Sequence, residues 1–169
     1  MTGLLDPERI ALVAKGVSAI VASRDAALRP SVMRAVASRI SADGREVTVY
    51  LRRSQSAQLL SDIAQTGEIA VVFSVPSTHQ TLQVKARQAT QRPARDDDLP
   101  VLEAYLHSMV DEVGRVGYGP KYVIAMLDAP LADVVAVSFM PTSAYDQTPG
   151  PRAGAPLPSP PPSPTSSSP

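Results

Sequence analysis

The sequence predicts a mainly β domain with flanking helices, an antiparallel barrel of six strands. Three observations predict it. Short β-branched runs recur along the chain, an Asp43-Gly44 dipeptide marks a tight hairpin, and helical periodicity is confined to segments between and after the strands. The 169 residues suit one such domain plus a tail, and the 44% hydrophobic content is enough for a core.

The elements follow in order. Asp6 before Pro7 is a helix start, an N-cap oxygen ahead of a proline at the first helical position. Ile10, Val13 and Ala14 share its face, and Gly16 ends it. Val17–Ser23 reads as a strand and Arg24–Arg29 as a polar turn closed by Pro30. Ser31–Ala42 reads as one long strand, turned at Asp43-Gly44 into a third over Glu46–Arg53. Ser54–Thr66 is a helix with Leu59, Leu60 and Ile63 on one side, ended by Gly67. Ile69–Val75 is nearly all apolar, as a central strand should be. Gln80–Gln91 is the fifth strand, Asp96–Val116 a long helix, Pro120–Leu127 a shorter one, and Val134–Phe139 the sixth strand.

Composition sets the context. Sixteen Lys plus Arg balance sixteen Asp plus Glu, so bulk charge points to neither nucleic acid nor a membrane surface as partner. Cysteine is absent and histidine occurs twice, at His79 and His107, which leaves no thiolate site and little for a histidine metal cluster. The first residues lack a basic segment ahead of a long apolar run, so no signal peptide is expected, and the setting expected is cytoplasmic. From Thr148 onward Pro, Ser and Gly dominate with Arg152 as the sole charge. The expected domain is therefore 1–147, and 148–169 is expected to be a disordered tail of polyproline II character.

Alternation along the strands supplies the chemical clue. Val32, Arg34, Val36 and Ile40 share one face of the second strand, and Val47, Val49, Leu51 and Arg53 share one face of the third. A cation on an apolar face is costly unless it reaches water, a carboxylate or a bound anion. Two readings stay open: the arginines run to the barrel rim, or they hold a ligand's phosphate together with free N–H groups at the helix beginning near Ser54.

The run Pro30–Arg92 resembles the FMN-binding split barrel of the pyridoxamine 5′-phosphate oxidase-like family. Arg34 and Arg39 stand at the spacing of that family's arginine and lysine, with arginine in place of lysine. Ser56 matches its helix-opening serine, Ala57 stands for its basic residue and Gln58 for its lysine. The glutamine near the flavin ring falls at Thr81 and a glycine at Ala86. Arg52 and Arg53 could restore the charge lost at the helix start. The resemblance implies a split barrel, FMN held by Arg34, Arg39, Arg53, Ser56, Gln58 and Thr81, and a homodimer with the cofactor at the subunit interface. It also implies an oxidoreductase acting on a small substrate. The family's arginine and histidine for pyridoxamine phosphate have no match, so vitamin B6 oxidation is not expected. A flavin-binding module without turnover and a haem- or deazaflavin-binding relative are the alternatives.

The remaining motifs read more plainly. His79 is expected in a surface turn and His107 on a helix. Asp96-Asp97-Asp98 loads a helix N-terminus. Gly114, Gly117 and Gly119 make a turn between helices, without the preceding strand that a phosphate loop needs. Tyr105 and Tyr122 are expected to be half-buried.

Overall fold

The structure, a computed structural model, describes residues 4–158. Nine strands and four helices follow in order: α1 (Pro7–Ala14), β1 (Ser18–Arg24), β2 (Pro30–Arg34), β3 (Ala37–Ile40), β4 (Val47–Arg52), α2 (Ala57–Thr66), β5 (Ile69–Ser74), β6 (Thr81–Ala86), β7 (Thr90–Pro93), α3 (Leu99–Gly114), α4 (Pro120–Leu127), β8 (Val134–Phe139) and β9 (Ser143–Asp146). They form two antiparallel sheets, one of five strands in the order β2-β1-β5-β6-β9, the other of four in the order β3-β4-β8-β7.

The six-strand expectation is thus corrected to nine strands in two sheets. Two expected strands each divide between the sheets. Ser31–Ala42 breaks at Ala35–Val36, so β2 joins the first sheet and β3 the second. Gln80–Gln91 breaks at Arg87–Ala89, where Gln88 takes φ +62°, and β7 crosses to the second sheet. Strands that change sheets make the corners of such packings. The ninth strand, β9, is short and polar, and pairs with β6 through Val84 opposite Ala144.

The inner faces of both sheets close on one core. Ala19, Val21, Val71, Phe73 and Val84 from the first sheet meet Val47, Val49, Leu51, Val135 and Val137 from the second, all buried. Leu59 and Ile63 of α2 and Val13 of α1 plug the ends. The amphipathic spacing of α2 buries that side, and Gly67 ends the helix at φ +68°. A second core lies outside the four-stranded sheet, where α3 and α4 cover Val36, Ala37, Tyr50, Val134 and Ala136. Tyr105 is buried, not half-buried, and its hydroxyl donates to the Val17 carbonyl at 2.7 Å. Burial pushes that phenol's pKa up. Tyr122 is instead exposed and stacks on Tyr118, ring centroids 4.9 Å apart.

The chain beyond β9 turns back instead of leaving the domain. Gly154 N–H donates to the Asp146 carbonyl at 2.7 Å and Leu157 N–H to the Ala144 carbonyl at 2.8 Å. Leu157 packs against the inner core. The boundary expected at 147 therefore falls inside a folded turn, and residues 159–169 of the expected tail lie outside the described residues. Among the described residues, no helix is long and apolar enough to cross a membrane.

Candidate functional site

The outer face of the five-stranded sheet carries no core. Period-two alternation sends Ala19, Val21 and Ser23 of β1 inward and leaves Ser18, Ile20, Ala22 and Arg24 half-buried on the other side. β5 repeats this with Ala70, Val72 and Ser74 outward, β6 with Thr81, Gln83 and Lys85, and β2 with Val32 and Arg34. Ile20, Val72 and Val32 belong to neither hydrophobic cluster, and Val32 is 57% exposed. These three side chains give the face an apolar centre.

A polar strip borders that centre. Register places Ser18 opposite Ser74, Ser74 opposite Thr81, and Arg34 opposite Ile20. Arg34 donates from NH1 to Ser18 Oγ at 2.7 Å. Because Ser18 accepts there, its own hydroxyl proton is free to donate. Thr81 Oγ1 donates to the His79 carbonyl at 2.8 Å, so in its 2.9 Å contact with Ser74 Oγ it accepts. Gln147 Nε2 reaches Gln83 Oε1 at 3.3 Å, and Gln147 N–H donates to the Thr81 carbonyl at 2.9 Å. One guanidinium, three hydroxyls and two carboxamides thus run along one edge of the face. Arg34 has no carboxylate partner among the described residues. An unpaired cation beside a free hydroxyl donor is chemically suited to an anion.

The six residues implied by the resemblance fall in three places. Arg34 and Thr81 share the strip. Arg39 lies on the other sheet, exposed, lining a pocket with Gly16 and Tyr105. Arg34 and Arg39 share no hydrogen-bond partner and no pocket, because the corner at Ala35–Val36 turns β3 into the four-stranded sheet. Arg53, Ser56 and Gln58 gather at the entry of α2.

That entry is already occupied by a carboxylate. Asp133 accepts the Ser54 N–H at 2.9 Å and the Ser54 hydroxyl at 2.6 Å, and these bonds hold its pKa below the usual carboxylate value. The Ser54 donors are thus spent on the protein's own anion. Ser56 is 2% exposed and its Oγ has no hydrogen-bond partner, so it faces no ligand from solvent. Gln58 donates to Asp62 Oδ1 at 2.7 Å, while Ser31 donates to Asp62 Oδ2 at 2.6 Å, which ties α2 to β2. Arg52 donates to the Asp128 carbonyl, and Arg53 is exposed.

Sequence reasoning missed Ser18, Ser74, Gln83 and Gln147. The alternation of β1 and β5 contained the signal for the two serines, since each ends an outward row of Ile20, Ala22 or Val72, Ala70. The aspartate run also does more than load a helix. Asp98 is buried and accepts from both Arg92 nitrogens at 2.7 and 2.9 Å, from Arg95 N–H at 2.9 Å and from the Tyr50 hydroxyl at 2.8 Å. Arg92 holds its carboxyl far below the usual range, against the opposing effect of burial. Burial, with Asp98 beside it, pushes the Tyr50 phenol up to about 12. His79 sits at φ +61° in the β5–β6 turn, next to the strip.

The architecture has solved counterparts. A pyridoxamine 5′-phosphate oxidase-like protein of Lactobacillus delbrueckii superposes with a TM-score of 0.53 at 16% identity, covering 83% of this chain and 93% of that one. HupZ of Group A Streptococcus gives 0.54 at 14% identity, over 89% of this chain and 99% of that one. An F420 reductase gives 0.54 at 17% identity, over 80% and 94%. No protein-family model matches the chain, and no curated protein matches it. Two antiparallel sheets around one core, with α3 and α4 on the outside of the four-stranded one, are a split-barrel architecture. The fold is that of the pyridoxamine 5′-phosphate oxidase-like proteins.

Proposed function

We propose that the chain is a flavin-binding split-barrel protein that works as a homodimer, with FMN lying along the polar strip where two copies meet. The observation that carries this reading is the unpaired Arg34 guanidinium beside the free Ser18 hydroxyl, at the edge of an open apolar sheet face. The strip fits a flavin with fewer phosphate contacts than the resemblance implies. Arg34 and Ser18 would hold the phosphate, charge-assisted bonds being the stronger kind. Ile20 and Val72 would lie under the flat ring, and the carboxamides of Gln83 and Gln147 would meet its polar edge. A second copy laid on the same face would exclude water from Ile20, Val72 and Val32 and complete the site.

A bound flavin supplies hydride or electron transfer, so the protein needs to anchor and shield it rather than provide a strong acid or base. The strip suits that division, being built from a guanidinium, hydroxyls and carboxamides. The reading is thus an FMN-dependent oxidoreductase of a small substrate. A deazaflavin coenzyme is the second reading. It is favoured by the likeness to an F420 reductase and by the strip's single guanidinium, which suits a singly charged phosphodiester better than a dianion.

The test is the absorption spectrum of freshly purified protein, with the mass of whatever cofactor it releases. Flavin bands and the mass of FMN support the first reading, and a deazaflavin mass moves the assignment to the second. A colourless protein that takes up neither overturns both. Reduction of bound FMN by a nicotinamide donor, followed by reoxidation, separates an oxidoreductase from a flavin-binding module without turnover.

A further inference from the structure

We propose that the hollow where the start of β5, the end of β6 and the start of β9 meet is a second ligand site, for a small phosphate monoester. It measures about 450 Å³ and is lined by Glu68, Lys85, Ala86, Arg87, Thr142 and Ser143. Strand pairing sets it apart from the polar strip. Lys85 lies opposite Ala70, and Ala70 opposite Ala22. Ala22 is four residues along β1 from Ser18, roughly 13 Å at the rise of an extended strand. The strip runs across the strands at one end of the sheet, and the hollow lies toward the other. The inference does not depend on the flavin reading.

Charge gives the hollow its chemistry. Arg24 meets Glu68 Oε2 at 2.8 Å, so the one carboxylate of the lining is already paired. Arg87 reaches Glu68 Oε1 only at 3.9 Å, and its side chain is 81% exposed. Lys85 has no carboxylate partner among the described residues. It stands over the Tyr145 ring, Nζ 4.9 Å from the centroid, a contact that positions the ammonium without neutralising it. Three cations thus gather round one carboxylate, and two positive charges are left without a counter-charge. A dianion relieves their repulsion, and a phosphoryl group carries close to two negative charges near neutral pH. A monocarboxylate would leave one cation unmatched.

The wall supplies a neutral donor as well. Thr142 N–H donates to the Lys85 carbonyl at 2.8 Å, which fixes the β8–β9 connection against β6. Ser143, opposite Lys85 in register, lines the hollow with a hydroxyl that makes no hydrogen bond among the described residues. That hydroxyl is a donor for a phosphoryl oxygen. The volume leaves room beside the phosphoryl group for a short polar body.

Glycerol phosphate is the probe, titrated into the full chain at about pH 7.5, where it is a dianion. Backbone NMR shifts at Ala86, Thr142 and Ser143 are the readout. The expected result is saturable binding that weakens at higher salt. Lys85→Ala and Arg87→Ala should each weaken it about tenfold, the loss of one charge-assisted contact, while Lys85→Arg keeps it. Both side chains are exposed, so the rest of the spectrum should hold in every variant. Non-saturable shifts would overturn the proposal, and so would wild-type affinity in both alanine variants. Movement of the Ala86 and Ser143 signals by an equimolar amount of FMN would make the hollow part of the cofactor site and overturn it too. A protein that binds glycerol phosphate here but takes up no FMN would sink the flavin reading and leave this one standing.

Discussion

Arg34 on β2 bonds Ser18 on β1 at 2.7 Å, two residues along the strand from its paired neighbour Ile20. The side chain therefore lies along the sheet rather than away from it, and its remaining N–H groups border the row of hydroxyls. A guanidinium held this way is pre-oriented, so less side-chain entropy is lost when an anion arrives.

The apolar centre beside that row should be a contact between copies. Val32→Asp places a charge at its β2 edge without disturbing either core, since Val32 is 57% exposed. Sedimentation should show the wild-type chain as a dimer and the variant as a folded monomer. A wild-type monomer would remove the second copy from the account.

Acid should loosen the Arg92–Asp98–Tyr50 network first. Asp98 titrates near 3.9 in an unfolded chain, and its folded value lies well below that. Its stabilisation is complete above the unfolded value and is lost progressively as pH falls below it. Asp98→Asn should lower stability by roughly 2–3 kcal/mol at neutral pH, under the full cost of a broken buried pair because Arg92 is 32% exposed. Urea titrations across the acid limb should show a shallower pH dependence in the variant.

Gly67 should resist substitution. It ends α2 at φ +68°, and a Cβ there would lie 3.1 Å from the Gln88 nitrogen. Gly67→Ala should cost roughly 1–2 kcal/mol in thermal or denaturant unfolding, from the left-handed conformation alone.

The buried carboxylate of Glu112 joins three parts of the chain. Lys15 and Arg115 meet Oε1 and Ser77 donates to Oε2 at 2.6 Å, outweighing burial to hold the pKa below its usual value. Glu112→Gln should destabilise the domain, and hydrogen exchange should quicken in the β5–β6 turn that Ser77 anchors.

Much of the architecture was legible locally, because strand alternation, the Asp6 cap, the Asp43-Gly44 hairpin and the Gly67 stop are each written in a few adjacent residues. The corners were not. Ala35, Val36 and Ala37 are all buried, so the apolar pattern runs straight through the point where the chain changes sheets. The change in side-chain direction is a property of the pairing partners, Ile20 for Arg34 and Thr48 for Arg39. The carboxylate at the α2 entry was hidden for the same reason. Asp133 lies 79 residues from Ser54, and no local pattern announces that meeting. Arg34 and Thr81 share one edge of the face because each ends an outward row in the same sheet, β2 and β6, with β1 and β5 between them. Their linking serines were passed over as ordinary small residues.

The location of the flavin phosphate is tested most directly by FMN titration of Arg34→Ala beside Arg53→Ala, followed by flavin fluorescence. Loss of the Arg34 contact should weaken binding about tenfold or more, while Arg53→Ala binds as the wild type does. The opposite pattern, with Arg53 required and Arg34 dispensable, would move the phosphate to the α2 entry and contradict the site described on the open sheet face.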